Sequence, residues 1–150
     1  MNEEQILDKL SMEGLNLSSI SKRSFAYMID EVIISIFIFV IFYEQMSNVV
    51  DENDIVNLTN RLFGYVIALK VIYHTFFIWQ YGSTMGKMIL KIKVVDIYTL
   101  DNLSFYRSFS RAMMRVISEG VFYLGYLWAV LTKTRQSWHD KFATSLVIDV

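Results

Sequence analysis

The sequence predicts an α-helical integral membrane protein. It has two full transmembrane helices, an amphipathic interfacial helix, a short re-entrant or partial third hydrophobic segment, and a small cytoplasmic β-pair of about 90–98 with 144–150. Three observations predict this. More than half of the 150 residues are apolar (54%), well above an ordinary soluble domain. Two separate runs, 24–43 and 61–81, have the roughly 20 residues that cross a bilayer. Phe, Tyr and Trp crowd the ends of those runs, as aromatic belts do.

Composition also excludes classes. A net charge of −1 and no isolated basic stretch argue against nucleic acid as a partner. With no cysteine, neither a disulfide framework nor a thiolate metal site can form. Proline is absent too, which shifts the turns onto Gly, Asn and Asp. Residues 1–22 carry Glu3, Glu4 and Asp8 and lack a short apolar core, so they do not read as a cleavable signal. By length the chain is a single membrane domain, 1–150.

Taken in order, residues 3–13 place Ile6, Leu7 and Leu10 at helical spacing. This predicts a short amphipathic helix within an N-terminal segment 1–21, lying on the membrane surface or against the bundle. Ser18, Ser19 and Ser21 are candidate caps for the first span, placed at 22–46. The connection 47–60 carries Asp51, Glu52 and Asp54 and no basic residue, whereas Lys87, Lys91 and Lys93 follow the second span. The Lys/Arg bias therefore puts both termini and residues 82–93 in the cytoplasm.

From 89 to 98 the pattern changes to period two, with Ile92 and Val94 alternating with Lys91 and Lys93, which predicts a strand. Residues 144–150 have the same character, and two short strands are expected to pair with each other. Between them, 104–119 forms an amphipathic helix with Arg107, Arg111, Arg115 and Glu119 in one arc and Phe105, Phe109, Met113 and Ile117 opposite. The apolar run 121–131 covers only about 16 Å as a helix, half the hydrocarbon thickness, so it is expected to insert partially.

The candidate functional residues are charges that the bilayer makes expensive, at about 2.5–3.5 kcal/mol each near the centre of a span. Arg23, Tyr27 and Asp30 share one face of the first helix, with Glu31 at its margin. Lys70 and His74 share a face of the second. Because the two helices run in opposite directions, Asp30, Glu31 and His74 fall at matching depth, with Lys70 slightly deeper. One reading is a static ion-pair cluster that fixes packing. The other is a proton- or cation-exchange site, with Na+ or H+ moving at Asp30 or Glu31.

Other motifs read more blandly. His74 and His139 cannot complete a metal site, and no cofactor is expected. Ser137, His139 and Asp140 lie too close in sequence to converge as a catalytic triad, so no enzyme activity is expected. The glycines at 82 and 86 depart from phosphate-loop spacing and read as a turn. The Arg107, Arg111 and Arg115 stripe is expected to touch anionic lipid headgroups, worth about 1 kcal/mol per residue. Alternatively, Arg115 pairs with Asp30 or Asp140.

Together these motifs form an ordered set. Arg23-Ser-Phe-Ala-Tyr-Met-Ile-Asp30 opens it, and Gly82-Ser-Thr84-Met-Gly86-Lys87 with Ile92-Lys93-Val94-Val95-Asp96 follows. Arg107, Arg111 and Arg115 continue it, and Arg135-Gln-Ser-Trp-His139-Asp140-Lys-Phe-Ala143-Thr144 closes it. Over 22–150 the chain resembles the RDD family of bacterial membrane proteins, named for one arginine and two aspartates. It departs from the family in having Met85 where Pro is frequent, and Gly120 and Gly125 as the only breakers around the third segment. The resemblance implies an inner-membrane protein, with transport of small ligands proposed and sodium/proton exchange attributed to some members. The reading taken from this is a homo-oligomer in which Asp30 is the ion or proton carrier, Arg23 its partner, and Asp140 with His139 a cytoplasmic gate or latch. A non-transporting scaffold or accessory module, in which the same charges serve packing, is the alternative.

Overall fold

A computed structural model describes residues 2–120, 128–129 and 131–150. Helix α1 (Glu3–Met12) is closed at its start by Asn2, whose side chain accepts from the Gln5 backbone N–H, with Gln5 reaching back in return. That reciprocal pair satisfies two of the helix's orphan donors. Helix α2 (Ile20–Ile41) starts at Ser19, whose hydroxyl accepts from the Lys22 N–H. It ends five residues short of the expected span. The chain breaks at Phe42 and resumes as a single turn, α3 (Tyr43–Ser47).

Helix α4 (Glu52–Tyr81) is longer than expected, because the acidic connection is itself helical. Asp51 caps it by accepting from the Asp54 N–H, and Glu52 and Asp54 occupy its first turn. Acidic side chains favour that position because they oppose the helix dipole. The helix stops at Gly82, whose φ of +70° is the left-handed conformation that ends helices and favours glycine.

The expected strand start at 89 is corrected. Residues Met85–Ile89 form a short helix, α5, and Lys91 turns the chain at φ +53° before β1 (Ile92–Asp96) begins. Helix α6 (Phe105–Gly120) follows, then α7 (Trp138–Phe142) and β2 (Ser145–Asp149). The strands pair antiparallel with Val94 opposite Val147, as the alternation predicted. The partial insertion expected over 121–131 lies outside the described residues except for 128, 129 and 131.

Two cores result. Ile6 and Leu10 of α1 pack on Val95, Ile97, Leu146 and Ile148, so the N-terminal helix covers one face of the strand pair. Ala26 and Ile78 meet Ile92, Val94, Leu103 and Val147 on the other face. Leu17 bridges to Ile148, and Val94 N–H donates to the Gly82 carbonyl. The N-terminal segment, the strands and both inner helix ends are thus one packed body from which α2 and α4 project.

Those two helices are long and apolar enough to cross a membrane. Outside the packed body they turn large apolar side chains outward, including Val32, Ile36, Phe39, Val40, Phe63 and Ile72. Their exposure suits lipid or another protein chain in place of water.

Candidate functional site

The fully buried Asp30 carboxylate organises the junction between α2, α4 and α5. Its Oδ1 accepts from the Tyr73 hydroxyl at 2.8 Å and from the Gly86 N–H at 2.9 Å. Its Oδ2 accepts from the Thr84 hydroxyl at 2.6 Å, the length of a charge-assisted bond. Gly86 is required here, since a Cβ would stand 2.2 Å from the Ala26 carbonyl oxygen and 3.0 Å from Asp30 Oδ1. This corrects the expected pairing of Asp30 with Arg23. The aspartate is held by neutral donors, two of which come from the glycine turn.

Arg23 reaches the other aspartate. Its Nη1 lies 3.6 Å from Asp140 Oδ2 and also donates to the Arg135 carbonyl, while Nη2 donates to the Val147 carbonyl at 3.0 Å. Arg111 donates to Asp140 Oδ1. Ser137 donates to Oδ2 through both its backbone N–H, at 3.1 Å, and its hydroxyl, at 2.7 Å. Burial alone would raise the Asp140 pKa, but Arg111, His139 and Arg23 outweigh it and hold the group well below the usual carboxylate range.

Ser137, His139 and Asp140 do converge, contrary to the expectation from their spacing. Ser137 Oγ lies 2.9 Å from His139 Nε2. Asp140 can only accept, so the hydroxyl proton goes to the carboxylate and Nε2–H donates to the hydroxyl oxygen. A serine activated as a nucleophile needs the reverse, with the imidazole accepting its proton. Burial pushes the His139 pKa down, against a raising contribution from Asp140.

A second network ties three helices together. Lys70 Nζ lies 2.9 Å from both Glu31 and Glu119. Arg115 lies 3.2 Å from Glu119 Oε1 and 3.9 Å from Glu31 Oε1, and its guanidinium stacks 4.9 Å from the centre of the Tyr27 ring. His74 Nδ1 is 3.2 Å from Arg115 Nη1 and must accept, because a guanidinium has only donors. The depth matching of α2 and α4 therefore holds through Glu31 and Lys70. The alternative pairing of Arg115 with Asp30 or Asp140 does not hold among the described residues, where its partners include Glu31, Glu119, His74 and the Tyr27 ring.

Helix α6 is oriented opposite to the interfacial expectation. Ser108, Arg111, Arg115 and Ser118 are buried against the protein, whereas Phe105, Phe109, Met113 and Ile117 face outward. Arg107, at the exposed end, pairs with Asp96. The stripe is paired internally, with Asp96, Asp140 and Glu31 on neighbouring elements and Glu119 on α6 itself reaching these guanidiniums at short range.

Between α2, α5, α6 and α7 lies a cavity of about 250 Å³. Arg23, Asp30 and Asp140 line it together with Lys87, Arg111 and Arg115. Ser24 and Met28, both exposed on α2, stand at its rim. Sequence reasoning missed Tyr73, Thr84 and Glu119 as partners and left Lys87 as a loop charge. Only Thr84 carried a signal, as a hydroxyl beside a glycine in a turn. Among the described residues, no group of three or more His, Asp or Glu is placed to hold a metal ion.

Compared with known proteins, the chain matches the RDD family over residues 17–144. No curated protein matches it, and no solved structure does.

Proposed function

Because the chain belongs to the RDD family, we propose that it works in the bacterial inner membrane as a small-ligand carrier, its binding site the cavity between α2, α5, α6 and α7. The observation that carries this reading is that Arg23, Asp30 and Asp140, the arginine and aspartates matched to the family's pattern, line one cavity although they are spread over 118 positions of sequence. Two spans cannot enclose a path across the bilayer. The outward apolar faces of α2 and α4 are therefore read as surfaces for further copies of the chain, and the Lys/Arg bias keeps both termini cytoplasmic.

Exchange of cations for protons is the narrower form of this reading, and Asp30 weighs against it. Both carboxylate oxygens are committed to three donors, one a backbone N–H that cannot turn away. Three guanidiniums on the same wall also repel a cation. The second reading is a non-transporting module, favoured by the Glu31–Lys70–Glu119–Arg115 network, which serves packing whether or not a ligand binds.

The test uses Ser24→Trp, which blocks the rim without touching a buried charge. Purified protein in uncharged detergent is screened by thermal unfolding against Na+, Li+, K+, chloride and phosphate, then assayed for flux of any stabilising ion in proteoliposomes. The carrier reading expects at least one ion to stabilise the parent protein, lose that effect in Ser24→Trp, and cross the membrane only with the parent. If no ion stabilises or moves, the packing module stands in its place.

A further inference from the structure

The donors and acceptors around the cavity do not balance. Both oxygens of Asp30 and both of Asp140 are already engaged. Lys87 is different. Its side chain is more than nine-tenths buried, and its ammonium makes no hydrogen bond or ion pair among the described residues. Asp30, on the same wall, is bonded to Tyr73, Thr84 and Gly86 and not to Lys87. The wall therefore presents the Lys87 ammonium beside the guanidiniums of Arg23 and Arg111.

Burying an ammonium without an acceptor is costly, and a group so placed either sheds its proton or finds an anion. Burial, with Arg111 and Arg115 close by, pushes the Lys87 pKa down against the raising effect of Asp140 and Asp30. An oxyanion in the cavity reverses that balance, because it supplies an acceptor to an ammonium that has no hydrogen-bond partner among the described residues. The cationic side chains come from three elements, α2, α5 and α6. Several cations on one cavity suit a phosphate group, which spreads its negative charge over several oxygens. Ser24 and Met28 stand in the first turns of α2, the end that the charge bias assigns to the cytoplasmic headgroups.

We propose that the cavity is a phosphate-group site, with Lys87, Arg23 and Arg111 as its binding residues. This inference rests on the carrier reading and names the ligand chemistry of that site. The phosphate belongs either to a free anion or to a lipid headgroup that enters past Ser24 and Met28.

The test is binding to the full chain in uncharged detergent. One arm titrates inorganic phosphate, a second phosphatidylglycerol, and a third phosphatidylcholine, whose phosphate is masked by a permanent cation. Binding is read by thermal shift and by native mass spectrometry. Saturable binding is expected in the first or second arm, and whichever responds identifies the source. Lys87→Met should weaken it at least tenfold and Lys87→Arg should retain it, while Lys91→Met, at an exposed position, should leave it unchanged. Circular dichroism and a monodisperse elution profile confirm that each variant is folded, and a Lys87→Met chain that fails to fold hands the decision to Ser24→Trp, which should abolish binding.

The proposal is overturned if neither phosphate arm binds, if phosphatidylcholine binds equally, or if Lys87→Met binds as well as the parent. Its failure is separable from failure of the carrier reading. A Ser24-dependent response to Na+ without one to phosphate sinks the phosphate site and keeps the carrier. No Ser24-dependent response to any ion or to phosphatidylglycerol sinks both.

Discussion

Asp30 shows how one carboxylate acts as a joint. It accepts from an α4 hydroxyl, from the Thr84 hydroxyl and from the α5 backbone, so it fastens the glycine turn beneath the first span. Asp30→Asn keeps an acceptor for Tyr73 and Gly86 and loses mainly charge, at a cost of about 1–2 kcal/mol. Asp30→Leu orphans three buried donors and should cost several times more. Melting of the two variants in detergent checks this ordering. Gly86→Ala should be at least as damaging, about 3 kcal/mol, because its Cβ meets a backbone carbonyl that has nowhere to move.

Two neighbouring residues set the pH response. His139 is held neutral in the folded state, its pKa pushed below the ordinary 6.5. The unfolded chain binds that proton first, so the contribution of His139 is intact above pH 6.5 and stability falls as pH is lowered through it. Asp140 is depressed below the ordinary 3.8, so its pairing contributes above that value and is lost as pH falls further. Unfolding followed from pH 8 to pH 3 should therefore show two successive losses. His139→Gln should reduce the upper one, the remainder belonging to His74, which the Arg115 guanidinium holds as an acceptor.

At the scale of elements, α6 carries one arginine stripe whose members have different worth. Arg111 is buried against Asp140, and removing it leaves that carboxylate with Arg23 at 3.6 Å as its remaining guanidinium. Arg111→Ala should cost about 3–5 kcal/mol, as breaking a buried pair does. Arg107 pairs with Asp96 at a partly exposed position, and Arg107→Ala should cost about 1 kcal/mol or less. Equal melting shifts for the two variants would contradict the inward orientation of the helix. The wheel of 104–119 displayed both faces correctly. It could not say which face turns inward, because amphipathicity is symmetric between a polar exterior in water and a polar interior in a protein whose outside is apolar.

For the whole molecule, β1 pairs with β2, so the chain between them begins and ends in one packed body. α1 and Leu17 pack on the same strands, which supports the proposal that the N-terminus lies on the same side of the membrane as the strands. The absence of cysteine makes this directly testable. Asn48→Cys, in the turn between α3 and α4, should react with an impermeant maleimide added outside intact cells. Lys91→Cys, beside the strands, should react only after the membrane is opened. Labelling of both from the same side would rule out two spans.

Much of this was legible in the residues. The length and hydropathy of 24–43 and 61–81 reported two helices long and apolar enough to cross a membrane. Period-two alternation around Val94 and Val147 reported the strands, and the ordered motifs reported the family. Helix limits were less legible: hydropathy overran Phe42 and ignored the cap at Asp51, which is a local hydrogen bond with no hydropathy signature. Partner choice was not legible at all. Helical spacing put Arg23 and Asp30 on one face, yet Arg23 bonds Asp140 and Asp30 bonds Tyr73, Thr84 and Gly86. Periodicity describes which way a side chain points from its own helix, while pairing depends on what other elements bring to it. Only the tertiary structure, by folding residues 84–87, 111 and 137–140 against α2, decided which buried charges are satisfied and left Lys87 without an acceptor among the described residues.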